Sequence, residues 1–354
     1  MELLSFADFI EFSRRIQDQG LRRYLRDYSD PFRKYTMQEF ISRYRFTPAT
    51  AKNVLVPLLE PHLRKASRRG LPFPPEIMLL AALRYYATGS FRKLEGDCLN
   101  ICQQSMSRIV SIVSMIFANQ MKRFVKLPLM SELSKVKNKF FEIGCFPSVI
   151  GCIGCIHIKI KSPGGLSAEV YRNRKGWFSV NVQAVTGPNL QFFDLVVRWP
   201  GSCHNSFIFN NSRINQRLHS GELQGILLGD NGYAVSPILM TPYLAPSNPT
   251  QEKYNKSHIK TRNSIDHAFK VWKHRFPCLQ VGMAIKLQTT VSVICACAAL
   301  HNIAISCNDG AVLLLHEEVD SSEMPECEVI PENINSNGFI ARDDLAQKSF
   351  SSVE

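Results

Sequence analysis

The sequence is short of what several function classes require. Its opening, "MELLSFADFIEFSRR", puts acids where a secretory leader needs a basic start and an unbroken apolar core, so no secretion signal is read there. It has no long uninterrupted apolar span. Leu287 to Ser306 carries no charge, but Gln288, Thr289, Thr290, Ser292, His301 and Asn302 break it up, which predicts a buried core helix and no membrane crossing. A disulfide framework is missing too: the 11 cysteines are odd in number and scattered singly, so reduced thiols in a cytosolic or nuclear protein are expected. Acid is scarce outside the C-terminus. Asp309 to Glu354 holds eleven acidic and two basic residues, leaving forty basic and nineteen acidic in the first 308, a balance of +21. That excess favours a polyanionic partner, most simply nucleic acid; the alternative is a soluble basic protein with dispersed lysines.

At 354 residues, with ordinary globular composition, the chain suits one large or two smaller domains. Residues 1–45 alternate charge clusters with aromatics and read as a helical segment broken near Pro31. Residues 46–145 follow a helical period, with "PPEIMLLAALRYYAT" opened by Pro74 and Pro75 and closed by Gly89. From 146 to 308 the pattern predicts strands at Val149–Lys161, Ser179–Thr186, Leu190–Arg198 and Gly225–Asp230, the middle two forming a hairpin. Helices follow at Asn205–His219, Thr261–Phe276 and Leu287–Ser306. Strands flanked by helices make an α/β layer domain. Residues 309–354, acidic and aperiodic, are expected to be a disordered tail.

Phe91 to Met106 and beyond can be laid out as a helix-turn-helix, with helices at Phe91–Leu99 and Gln103–Ile116. Met106, Ile109, Val110 and Val113 form the apolar face of the second helix. Gln103, Gln104, Ser105, Ser107 and Arg108 then lie near its N-terminus, the end such motifs set against base edges. A helical hairpin with solvated polar residues explains the same pattern.

Three features bear on chemistry. Asp230 ends the apolar run "GILLGDNGY", as a functional acid at a strand's carboxyl edge does, although Asp-Asn-Gly is also a turn signal. Asp266 has Arg262 and Lys270 four residues to either side and Lys273 on the same flank; i,i+4 salt bridges on a solvated face are the plain reading. The loop "YRNRKGW" offers Arg172, Arg174 and Lys175 to phosphates and Trp177 for stacking, or is a solvated basic turn. Cys152, Cys155 and His157 hint at zinc, but on a strand an offset of three puts the two thiols on opposite faces, so they read as small buried hydrophobes. Within "SVIGCIGCIHIKIKSP", Gly154 shares a strand face with Ile150, Cys152, Ile156 and Ile158, a weak choice for a strand interior unless something approaches closely or a side chain has been lost.

Several blocks, in order, resemble transposases of the PIF/Harbinger type and the nuclease-like proteins domesticated from them. They are "PFRKYTMQEFISRYRF", "RRGLPFPPEIMLLAALRYYATGSFRKLEGD", "SMSRIVSIV", "YRNRKGWFSVNVQAV", "RWPGSCHNSFIF", "LLGDNGYAVSPILMTPY", "RNSIDHAFKVWKHRF" and "ALHNIAI". The resemblance implies a helical region with a helix-turn-helix, then a ribonuclease-H-like domain with a DDE triad. It also implies Mg²⁺ or Mn²⁺ as cofactor, DNA phosphodiester cleavage, a Myb-like DNA-binding partner, and residence in the nucleus with the cytoplasm as second compartment. Aligned on the family, Gly154 stands where the first catalytic aspartate does, Asp230 matches the second, and Asp266 replaces the third, usually glutamate. Thirty-five residues separate the last two. Asn205 stands at a further family aspartate. Two-metal hydrolysis needs a carboxylate bridging both ions, and glycine has none. The resemblance therefore implies a crippled nuclease that retains DNA-binding surface. Against it stand a working metal-dependent endonuclease with a substitute acid, Asp194 being the candidate, and an interaction module for the Myb-like partner.

Overall fold

The computed structural model describes residues 30–63, 73–91, 101–309 and 336–351. Helix α1, Met37–Tyr44, opens on a capping box: Thr36 Oγ1 accepts from the Glu39 amide while Glu39 accepts from the Thr36 amide. After α2, Val56–Leu63, helix α3 spans Pro75–Thr88, with proline at its first turn and Gly89 at φ 69° closing it, as the sequence predicts. Helix α4, Gln103–Asn119, is the second element of the expected helix-turn-helix, and Met106, Ile109, Val110 and Val113 are all buried. The first element, Phe91–Leu99, lies outside the described residues apart from Phe91. Helix α5, Met130–Gly144, leads into the sheet.

The sheet is mixed, in the order β3-β2-β1-β4-β5. Strands β1 (Val149–Lys159), β2 (Ser179–Thr186) and β3 (Phe192–Pro200) form an antiparallel meander, the last two joined by the expected hairpin. Two short helices follow: α6, Asn205–Asn210, and α7, Arg213–His219. One continuous helix was expected over 205–219. Ser212 interrupts it, because its hydroxyl accepts from the Asn215 amide and caps α7. Strands β4, Ile226–Leu228, and β5, Leu239–Met240, add to β1 in parallel.

Helix α8, Pro249–Arg275, begins twelve residues before its expected start. Asn248 caps it and Pro249 occupies its first turn, but the turns up to Lys260 are polar enough to hide the helical period. Its buried stripe, Ile265, Ala268, Phe269 and Trp272, packs on the sheet. Helix α9, Leu287–Ser306, is long and apolar enough to cross a membrane, yet most of it is buried against α4 and β3. Two of its polar breaks, His301 and Asn302, are structural clamps. Asn302 Oδ1 accepts from the Phe192 amide at 2.8 Å, its Nδ2 donates to Phe192 O and Phe124 O, and His301 Nε2 pairs with Leu190 O at 2.9 Å. The helical region and the sheet share one continuous apolar core.

The expected disordered tail is corrected at both its ends. Asp309 is buried in an ion pair with Arg275 and accepts from the Thr47 amide and hydroxyl. Ser336–Phe350 forms helix α10 against α8, with Asp343 accepting from the Tyr243 hydroxyl at 2.6 Å and Phe350 against Phe146 and Tyr254. A few aromatic and charged anchors supply what the low hydrophobicity of the segment conceals.

Candidate active site

Parallel pairing of β1 with β4 brings Cys152 opposite Leu228. Two residues further along each chain stand Gly154 and Asp230, so the two positions reach the same level at the edge where β4 ends. Asp230 stands just past the end of β4 and also builds the turn. Its Oδ1 accepts from the Gly232 amide, making the turn, and its Oδ2 points to α8. There Arg262 holds both candidate acids: Nη2 donates to Asp230 Oδ2 at 3.2 Å and Nη1 to Asp266 Oδ2 at 2.7 Å. The i,i+4 bridge expected of Arg262 and Asp266 is present, but not on a solvated face, since the side chains of Arg262, Asp230 and Asp266 are only 16%, 21% and 13% exposed. Burial raises the Asp266 carboxyl above the usual range; Arg262 and Lys270 pull it down and Asp230 pushes it up.

Asn205, at the start of α6, lies beside this pair. A β-carbon on Gly232 would sit 2.9 Å from both Asn205 Nδ2 and Asp230 Oδ1. Ser206 ties α6 to the same turn, donating to Gly232 O and accepting from the Ala234 amide. Gly154 contributes no side-chain oxygen, and a β-carbon there would face Ile265 and Phe269 of α8. Two carboxylates already joined by one guanidinium do not fit a pair of divalent ions, and among the described residues no cluster of three His, Cys, Asp or Glu could hold a metal. Asp194 does not repair the set. It pairs with Val185, which pairs with Ile153, so it lies on the sheet face opposite to Gly154 and three strand spacings, roughly 14 Å, from β4's outer end. Burial pushes its carboxyl up to about 6, with Arg213 and Arg217 opposing.

The other expected residues divide. Arg172 is occupied in shaping its loop, paired with Glu169 at 2.7 Å, donating to Gly176 O and lying over the Phe178 ring. Arg174 and Lys175 are exposed, Arg174 Nη2 being 2.7 Å from Nδ1 of His204. Trp177 is half-buried, edge-on to His157. Gln103, Gln104, Ser107 and Arg108 are exposed and Ser105 half-buried at the first turns of α4. Arg262 faces inward, while Lys270 and Lys273 are half-buried. The zinc grouping is not assembled: Cys152 is buried and donates to Thr261 O, whereas Cys155 meets the Tyr233 hydroxyl and His157 meets Ser179. What sequence reasoning missed is the second arm of Arg262. The i,i+4 spacing signals Asp266, but nothing local signals Asp230, 32 residues away.

Comparison with known proteins places the chain in a family. Residues 153–302 match the DDE superfamily endonuclease family model. "Putative nuclease HARBI1" of Homo sapiens is 31% identical over 275 residues, 76% of this chain and 78% of the relative; its Xenopus laevis counterpart is 28% identical over 321 residues, 88% and 90%. "Protein ALP1-like" of Arabidopsis thaliana is 26% identical over 257 residues, 68% of this chain and 63% of that one. No solved structure matches the chain significantly. The chain belongs to the HARBI1 family of Harbinger-transposase-derived nucleases, within the DDE endonuclease superfamily.

Proposed function

We propose that this chain is a DNA-binding protein on a ribonuclease-H-like nuclease scaffold whose phosphodiester hydrolysis is lost or cut by several powers of ten. The observation that carries the reading is Gly154: it stands level with Asp230 on the neighbouring parallel strand, at the position where the family resemblance implies the first aspartate, and offers no donor. Family chemistry uses a divalent ion to activate water and stabilise the leaving oxygen. Asp230 and Asp266 remain, each turned to Arg262. Losing one preorganised charged contributor of this kind typically costs orders of magnitude in rate.

DNA binding is supported by the +21 balance of the first 308 residues, by the exposed Arg174 and Lys175, and by the exposed polar turn at the start of α4. The resemblance adds a Myb-like partner and nuclear residence. An exposed Ile112 and Met115 beyond Arg108 give α4 an apolar strip that such a partner could cover.

The test is nicking of supercoiled plasmid in Mn²⁺, with electrophoretic binding of the same plasmid alongside. Binding without nicking by the wild-type protein is the expected result. Nicking that Asp230→Ala abolishes would overturn it, because the site would then be complete.

A further inference from the structure

We infer that Arg262 occupies the cation seat of this site, so that the chain's own guanidinium neutralises the two remaining carboxylates and the folded protein is indifferent to divalent metal. The inference rests on the reading of this site as a degenerate nuclease centre, but on a different observation. Gly154 explains why a ligand is missing; Arg262 explains why the residual acids do not need one.

Charge and geometry both point this way. Asp230 and Asp266 come from a strand end and a helix 36 positions apart, and two buried carboxylates aimed at one point repel unless a cation lies between them. In this protein that cation is covalently part of α8. A guanidinium presents two N–H edges in a fixed fork, and here each edge takes a different acid, Nη1 at 2.7 Å and Nη2 at 3.2 Å. Its Nε is buried without a hydrogen-bond partner. Packing alone would not hold a charged group under such desolvation, so the two carboxylates hold it.

The remaining neighbours reinforce the exclusion. Lys270 adds a second positive charge near Asp266. Cys152 and Tyr233, both within electrostatic reach of this cluster, are kept neutral by burial and supply no further anion. Asn205, beside Asp230, is an uncharged amide. The net charge of the three-residue cluster is −1, against −3 for three free carboxylates, too little to strip water from a hard divalent ion.

The experiment is a Mn²⁺ titration of the full chain, followed by electron paramagnetic resonance of free Mn²⁺ and by thermal unfolding, with Mg²⁺ in parallel and ionic strength held constant. The wild-type protein is expected to take up no Mn²⁺ at millimolar concentration and to keep its melting temperature. Arg262→Met, which leaves two buried carboxylates uncompensated, is expected to melt lower without metal and to regain stability with Mn²⁺, binding it at least ~10-fold more tightly than wild type. Arg262→Lys, which keeps one positive charge, should stay indifferent to metal. Wild-type uptake of Mn²⁺ that Asp230→Asn abolishes overturns the inference, and so does an Arg262→Met protein that folds and ignores Mn²⁺. If Arg262→Met does not fold even with metal present, the wild-type and Arg262→Lys titrations decide. Metal uptake without DNA cleavage would sink this inference and leave the proposed function standing; cleavage by the wild-type protein would sink the proposed function itself.

Discussion

Ile265 closes the space in front of Gly154: a β-carbon added to the glycine would lie 3.2 Å from Ile265 Cγ1 and 3.4 Å from Phe269 Cε2. The side chains filling this space belong to the same turns of α8 that carry Asp266. Restoring the lost acid therefore means moving a packed aliphatic group by a few tenths of an ångström, a strain of about 1–3 kcal/mol in a well-filled core. Gly154→Asp is expected to fold with lowered stability, and Ile265→Ala in the same chain, which removes the contacting Cγ1, to make room for the carboxylate. Because Arg262 still neutralises Asp230 and Asp266 in the double variant, Mn²⁺-dependent plasmid nicking is expected only once Arg262→Met is added. A folded triple variant that ignores Mn²⁺ would show that one carboxylate is not enough.

The buried pair of Arg275 and Asp309 makes a second prediction. Their side chains are 3% and 0% exposed, and Arg275 also donates to Arg45 O while lying over the Phe46 ring. The pair ties the end of α8 to the helical region and to the segment that follows α9. Asp309→Ala leaves a guanidinium enclosed without its counter-charge, which costs about 3–5 kcal/mol in comparable cases. Urea unfolding should show the midpoint falling at unchanged slope. A loss below about 1 kcal/mol would mean that the backbone carbonyls around Arg275 suffice.

Why Asp309 reads as tail and behaves as core is instructive about what sequence can carry. The strands were legible because β2 alternates polar and apolar residues while β1 and β3 are rich in β-branched and aromatic ones, and α9 was legible to the residue because its apolar run is long. Helix α10 was not, since three anchors, Arg342, Asp343 and Phe350, do their work against partners about 100 residues away or more. The candidate site divides likewise. Gly154, Asp230 and Asp266 could be placed by block alignment, but the double grip of Arg262 depends on a tertiary contact that no local spacing encodes.

Those anchors are testable one at a time. Phe350 packs on Phe146 at 5.5 Å and Tyr254 at 5.6 Å between ring centroids, and Tyr254 also touches His258 and Tyr243. Phe350→Ala is expected to destabilise by about 1–2 kcal/mol, less than a fully enclosed phenylalanine because the ring is half-buried. Hydrogen exchange should report faster opening of α10, with β1 and β2 unchanged. Equal acceleration throughout the sheet would instead mean that α10 unfolds only with the whole molecule.

Acid should weaken the fold, and the sign follows from three groups. His258 and His301 are enclosed, and burial pushes both down to about 4 from an ordinary 6.5, with Arg262 and Arg342 near the first and Arg275 near the second. The unfolded chain binds their protons first, so their contribution is present above pH 6.5 and is lost as pH falls towards 4. Asp194 opposes this: raised to about 6 from 3.8, it takes its proton earlier in the folded state and adds stability over the same fall. Two histidines, each displaced farther than the one aspartate, prevail at about 1.4 kcal/mol per pH unit apiece. Unfolding free energy measured by urea at pH 7 and pH 5 should therefore drop by ~1–3 kcal/mol, and Asp194→Asn should steepen the drop. A flat profile would contradict the burial assigned to the two rings.

The basic loop around Arg174 and Lys175 yields the most direct check on partner class. Arg172 is held by Glu169 and the Gly176 carbonyl, whereas Arg174 and Lys175 are carried outward by the same turn, next to His204 and the start of α6. If these two cations meet phosphates, each released counterion contributes about 0.9 to the slope of log affinity against log salt. Lys175→Ala and Arg174→Ala are each expected to reduce that slope by about one, and to weaken binding equally for unrelated duplex sequences. Fluorescence anisotropy over a KCl series measures it. Arg172→Ala should act differently, lowering affinity with a smaller change in slope, because its charge is already matched by Glu169. Identical slopes for all three variants and wild type would take this loop out of the DNA-binding surface.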